Sequence, residues 1–146
     1  MQIIMNEQNN QPGAAAQEQA PEVNEKGMVF SDVTVPVEIR ENIKKKVMEL
    51  KQKPGVKKVY VIVVEGDEDD DKPLYIGYFR RPNLMYFSQY MNFVQKDLVQ
   101  ANKMLATNIF LDGDKELVDD DDLFLYGTMQ QLSHVIDSRN ADLVKR

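Results

Sequence analysis

Two apolar stretches joined by an acidic linker decide the fold: KKVYVIVV at Lys57–Val64 and LYIGYFR at Leu74–Arg80. The first is short and rich in β-branched residues, which is typical of a strand. The second predicts a strand whose side chains alternate between two faces, with Leu74, Ile76 and Tyr78 on one and Tyr75, Gly77 and Phe79 on the other. The linker contains Gly66, Pro73 and five consecutive acids, Asp67 to Asp71. These features predict an antiparallel hairpin with a solvated loop.

Helical spacing of apolar residues flanks the hairpin. Before it, Ile39, Ile43, Val47 and Leu50 form one stripe between Pro36, which suits a first helical turn, and the breaker Pro54-Gly55. After it, a wide stripe is formed by Phe87, Met91, Val94, Leu98, Ala101 and Leu105. Asp97 with Gln100 resembles a capping box, so we expect two helices that meet near Lys96.

A last helix is predicted by apolar residues at Leu125, Met129, Leu132 and Ile136. It follows the acidic run Asp119–Asp122, because carboxylates are favoured at the N-terminus of a helix. We expect it to fade near Asp137–Asn140. Asp112-Gly113-Asp114 is typical of a turn.

The domain organisation follows from these patterns. Residues 1–27 lack aromatic side chains and are rich in Gln, Asn, Glu and Ala, which predicts a disordered tail. Residues 28–140 form one α+β domain, in which the β-hairpin packs against three to four α-helices. Residues 141–146 are a polar C-terminal end.

Composition excludes several function classes. The 146 residues include no Cys and one His, so disulfides, thiolate metal sites and multi-histidine metal sites are excluded. The formal net charge is −6, but much of the acidity lies in the two aspartate-rich runs. No apolar run reaches the length of a membrane span, and no phosphate-binding glycine loop occurs. Ser133 and His134 are neighbours and cannot form a nucleophile pair on a helix. We therefore expect no enzyme, catalytic residue, metal or cofactor.

Aromatic and basic residues cluster around the end of the second strand. Tyr78, Tyr86 and Tyr90 either fill the core or form a face for a protein partner, where tyrosine is enriched. Arg80 and Arg81 point to opposite faces of a strand end, so at least one is expected to be exposed. We take these five residues as candidate partner-binding residues.

A second candidate is a basic patch on the helix before the hairpin, formed by Arg40, Lys44, Lys45, Lys46 and Lys51. A solvated helix face explains it, and a patch for phosphate or an acidic protein surface is the functional alternative. No aromatic residue is interleaved, which disfavours nucleic acid as the partner.

Four segments carry a family resemblance: VYVIVV (59–64), LYIGYFRRP (74–82), KDLVQANKMLATNIFLDGD (96–114) and DDDLFLYGTMQQL (120–132). In this order they resemble the small tail assembly chaperone-type proteins of tailed phages, especially those of gut Bacteroidota phages. The similarity covers residues 57–136, and the N-terminal tail and first helix lie outside it.

The resemblance implies a non-enzymatic protein that binds the tape-measure protein, or another virion protein, and keeps it soluble until tail-tube subunits polymerise. It points to the helices Leu84–Phe110 and Leu123–Ile136 as partner-binding elements, and to the host cytoplasm or the virion as the location. Self-association is a further option. Two alternatives stay open: a structural head or tail accessory protein of the virion, and a nucleic-acid-binding or regulatory protein that uses residues 40–58.

Overall fold

The computed structural model describes residues 22–23 and 27–144. Its first half contains β1 (Glu22–Val23), β2 (Gly27–Ser31), α1 (Val37–Leu50), β3 (Val59–Glu65) and β4 (Leu74–Arg80). Its second half contains α2 (Leu84–Phe93), α3 (Leu98–Ile109), β5 (Phe110–Gly113), α4 (Glu116–Asp119), α5 (Asp121–Leu123), a π-helical turn (Phe124–Thr128) and α6 (Met129–Val144).

Within these residues, five strands form one mixed sheet in the order β1-β2-β3-β4-β5. The predicted hairpin is confirmed at its centre, where β3 and β4 pair antiparallel with Val59 opposite Arg80 and Glu65 opposite Leu74. β2 lies parallel to β3, and α1 makes the connection that such a pair needs. The sequence did not predict β1, β2 or β5, so the sheet extends beyond the hairpin on both sides.

The sheet is the middle of three layers. On one face, Tyr60, Ile62 and Val64 of β3 belong to the core that α2 to α6 cover. On the other face, Val59, Val61 and Val63 pack with the apolar stripe of α1. β3 is therefore buried on both faces, which explains its continuous apolar sequence. The predicted α+β class is confirmed.

Two predicted helix starts are confirmed by side-chain caps. Asp97 accepts a hydrogen bond from the Gln100 N–H at 3.0 Å, so α2 and α3 are separate helices. The Asp120 carboxylate accepts hydrogen bonds from the Asp122 and Leu123 N–H groups at 3.0 and 3.1 Å. These contacts satisfy N–H groups that have no partner within a helix.

The apolar stripe predicted across α2 and α3 is partly wrong. Phe87, Ala101 and Leu105 are buried, but Met91 and Leu98 are exposed. Met91 lies in the last turn of α2 and Leu98 is the first residue of α3, so both exposed residues lie at the helix ends on either side of the break.

Both ends of the predicted domain also differ. The predicted tail, residues 1–27, lies mostly outside the described residues, but Glu22–Val23 pairs with β2, which begins at Gly27. The predicted fading of the last helix near Asp137–Asn140 is wrong, because α6 continues to Val144. Four residues of the predicted polar end, 141–144, are therefore helical, and 145–146 lie outside the described residues.

Candidate functional site

The tyrosines predicted to bind a partner lie mainly in the core. Tyr78 belongs to the core between the sheet and α1, and Tyr90 to the core on the opposite face. Burial raises the pKa of Tyr78 to about 12 and also raises the pKa of Tyr90. Tyr86 is half-buried and packs against the same core as Tyr90. Tyr78 and Tyr90 therefore follow the core-packing alternative, although Tyr90 also lines a groove at the surface.

Arg80 and Arg81 are both half-buried at the end of β4. They line a pocket of about 190 Å³, which we call the basic pocket. Its lining residues are Gly55, Lys57, Lys58, Arg80, Arg81, Pro82, Asn83 and Leu84. The Arg80 guanidinium donates a hydrogen bond to the Gly55 carbonyl oxygen at 3.3 Å. Lys57 and Lys58 thus lie beside the two arginines, an arrangement that the sequence did not predict.

The basic residues predicted to form a patch on α1 have different roles. Arg40 donates through Nε to the Val35 carbonyl oxygen at 3.0 Å, just before the helix. The Lys44 ammonium lies 4.0 Å from the Glu41 carboxylate, and the Lys45 side chain is exposed. Lys51 is half-buried after the last turn of the helix. Lys46 pairs with a carboxylate of another element and is therefore not part of a free patch.

The Lys46 partner is Asp112 of β5, whose carboxylate lies 2.6 Å from the Lys46 ammonium. This hydrogen bond is the main cause of the raised pKa of Lys46 and of the lowered pKa of Asp112. A second hydrogen bond, from the Gly113 N–H at 2.7 Å, also lowers the pKa of Asp112. The pair links α1 to the edge strand of the sheet.

Asp114, which follows β5, is held by the other strand of that edge. Its carboxylate accepts a hydrogen bond from the Ile76 N–H at 2.8 Å and forms an ion pair with Lys72. That ion pair is the main cause of the raised pKa of Lys72. The predicted turn at Asp112-Gly113-Asp114 is therefore the end of β5, with Gly113 at φ +106°.

The two acidic runs meet at the opposite end of the hairpin from the basic pocket. They line a depression of about 270 Å³, which we call the acidic pocket. Its carboxylates come from Glu65, Asp67, Asp69, Asp70 and Asp122. In the part of the chain that the structure describes, no three acidic or histidine side chains are arranged to hold a metal ion.

Tyr126 is the exposed aromatic residue that sequence reasoning missed. It lines the acidic pocket and is 80% exposed. It lies in the π-helical turn, whose wider turn changes which residues face inward. Consequently Phe124 and Val135 are buried, whereas Leu125 and Met129 of the predicted core stripe are only half-buried.

Exposed apolar side chains concentrate on α2 and the start of α3. The large exposed apolar residues there are Leu84, Met85, Met91, Leu98 and Val99. Two grooves run between α3 and the helical segment 121–137, and we call them together the α3 seam. One, of about 390 Å³, is lined in part by Tyr90, Leu98, Met129 and Ile136. The other, of about 380 Å³, is lined in part by Val99, Phe124 and Leu125.

Comparison with known protein families, with curated proteins and with solved structures finds no match to this chain. Over the described ranges, no helix is long and apolar enough to span a membrane.

Proposed function

We propose that this chain is a non-enzymatic assembly protein that binds an apolar helical segment of a partner, as phage tail assembly chaperones bind the tape-measure protein. The resemblance of residues 57–136 to that class supports the role. The α3 seam supports the mode of binding, because it combines exposed apolar side chains with open grooves between helices. All of its lining residues except Asp121 and Asp137 lie within the two helical segments that the resemblance points to.

The observation that carries this proposal is the exposure of Leu98 and Val99 beside the two grooves. They are 54% and 42% exposed, although both are apolar and lie in the first turn of a capped helix. Exposed apolar side chains that line grooves are typical of protein-binding sites. The apolar face of an amphipathic helix fits such a groove, with its side chains at helical spacing as anchors.

The rims of the seam are polar, which favours reversible binding. Asn102, Gln130 and Asp137 line the groove beside Tyr90, and Lys103 and Asp121 line the other. Lys103 and Asp121 form an ion pair at 3.3 Å across that second groove. An apolar centre with a polar rim is the usual build of a protein interface. A partner held this way is shielded from aggregation and can still be released to the growing tail.

Co-expression with a tape-measure fragment from the same phage genome tests the proposal. We expect the wild-type chain to keep the fragment soluble and to be pulled down with it. The double variant Leu98→Ser/Val99→Ser should lose about 2 kcal/mol of binding, which is about 30-fold in Kd, because two half-exposed apolar side chains are no longer buried. Isothermal titration calorimetry with a soluble peptide of that fragment measures the change.

The matched control is Val37→Ser/Met48→Ser. These residues are also exposed and apolar, but they lie on α1, on the other side of the sheet. Equal loss in both variants would contradict the seam as the binding site. Failure of the wild-type chain to bind any tape-measure segment would contradict the chaperone role. A chaperone should also be absent from purified virions, so its presence there as a regular component would instead favour an accessory virion protein.

A further inference from the structure

We infer that the basic pocket binds a phosphoryl group of a small ligand, such as a phosphate ester or a short polyphosphate. The site lies at the end of the hairpin formed by Val59 and Arg80, and the described residues that line it include no carboxylate. It is separate from the α3 seam, so it adds a ligand class to the proposed function and does not depend on it.

Strand register explains why the cations converge. β3 and β4 are antiparallel, and Val59 lies opposite Arg80. Lys57 and Lys58 therefore enter the sheet where Arg80 and Arg81 leave it, because directly opposed residues lie about 5 Å apart. The chain then passes through Pro82 into α2, whose first residues complete the wall of the pocket.

Three cations of the pocket, Lys57, Lys58 and Arg80, form no ion pair with a carboxylate of the described ranges. Elsewhere in the described chain, Lys46, Lys72 and Lys103 form ion pairs with aspartates. The pocket cations have other contacts. Arg80 donates a hydrogen bond to the Gly55 carbonyl oxygen. The Lys58 ammonium lies 5.8 Å from the centre of the Tyr60 ring. Like charges held together repel one another, and a bound anion relieves that repulsion.

The residue types favour a phosphoryl group. Arginine offers a planar fork of donors that matches phosphate oxygens, and lysine adds a point charge with three donors. A pocket of about 190 Å³ holds a phosphate or pyrophosphate group. A nucleic acid instead needs an extended basic track. Here the acidic pocket lies only about 20 Å away along the seven-residue strands, where it repels a long polyanion.

The test is calorimetric titration of the full chain with inorganic pyrophosphate in a phosphate-free buffer of low ionic strength. We expect saturable binding at one site. The variant Lys57→Gln/Lys58→Gln should weaken it by about tenfold or more, because two charge-assisted hydrogen bonds to the anion are lost. The matched control, Lys44→Gln/Lys45→Gln, removes the same charge from an adjacent lysine pair on α1 and should change the affinity by less than about twofold.

A second measurement does not depend on the variants. In the wild-type chain, pyrophosphate should shift the backbone amide resonances of Gly55 and Asn83 in nuclear magnetic resonance spectra and leave those of the acidic pocket unchanged. Absence of binding at low salt, or equal weakening in the two lysine variants, would overturn the assignment. Two further results would overturn the assignment, because each indicates a macromolecular occupant. One is tighter binding of a single-stranded oligonucleotide than of pyrophosphate at the same lysines. The other is salt-sensitive self-association that pyrophosphate does not disperse.

Discussion

Gly127 of the π-helical turn is the position where one added methyl group should most clearly test the packing of this fold. A Cβ at Gly127 would lie 2.4 Å from Cγ1 and 3.0 Å from Cγ2 of Val64, which is closer than atoms can pack. Gly127 has no positive φ, so its backbone would accept alanine without strain. The contact with β3 alone therefore decides the outcome.

Two opposing effects set the magnitude. Alanine is favoured over glycine inside a helix by about 1 kcal/mol. Overpacking a core contact costs about 1–3 kcal/mol. Because the overlap with Val64 is severe, we expect Gly127→Ala to lower the free energy of unfolding by about 1–2 kcal/mol. Urea denaturation followed by circular dichroism measures this value.

The background Val64→Ala should reverse the sign. It removes both Cγ atoms and leaves Val64 Cβ as the next neighbour, 3.3 Å from the added methyl group. Val64→Ala alone should cost about 2 kcal/mol, because two buried methyl groups are lost. In that background Gly127→Ala should stabilise the protein by about 0.5–1 kcal/mol, since the helix preference then outweighs the contact. If Gly127→Ala costs the same in both backgrounds, the close approach to β3 is not the reason for glycine.

Two further predictions concern charged side chains. Asp120→Ala should lower the free energy of unfolding by about 1 kcal/mol, because two N–H groups lose their cap. The control Asp119→Ala removes an exposed neighbour that makes no such bond. It should change the free energy of unfolding by less than about 0.5 kcal/mol in the same urea assay. The Lys46–Asp112 pair should stabilise the fold at pH values above 3.8, the ordinary pKa of an aspartate, because the pKa of the Asp112 carboxyl is lowered in the folded chain. The difference in Tm between wild type and Asp112→Asn should therefore shrink as the pH falls from about 7 to about 2; a difference that grows on acidification would contradict the pairing.

Local signals predicted the parts of the fold that depend on neighbouring residues. The hairpin followed from two apolar runs around an acidic linker, and the break before α3 followed from Asp97. The parallel pairing of β2 with β3 could not be predicted in this way, because its partners are separated by the whole of α1. β5 was hidden for a related reason: its four residues continue directly from α3, and only pairing with β4 makes them a strand.

The binding surfaces were harder to predict than the fold. Tyr78 has both apolar area and a polar tip, so its sequence position did not distinguish core from interface, and it packs in the core. Leu98 has the spacing of a core residue because it shares a helical stripe with the buried residues Ala101 and Leu105, but it is the first residue of α3 and is exposed at that helix end. The basic pocket joins two segments that only the hairpin register brings together. The acidic pocket joins the hairpin loop to the π-helical turn, which packs against Val64 of β3.

That register also separates the charges of the molecule in a way that the net charge of −6 conceals. Glu65 and Leu74 are paired at the acidic end of the hairpin, and Val59 and Arg80 at the basic end, about 20 Å away. At physiological ionic strength the screening length is about 8 Å, so exposed acids at one end hardly reduce the positive potential at the other. Added salt therefore has two opposing effects on an anion at the basic pocket. It weakens the direct contacts with the cations, and it screens the remaining repulsion between the anion and the acidic pocket. For this reason the two ends of one small sheet can prefer ligands of opposite charge, while the α3 seam differs from both in combining exposed apolar side chains with a Lys103–Asp121 ion pair at its rim.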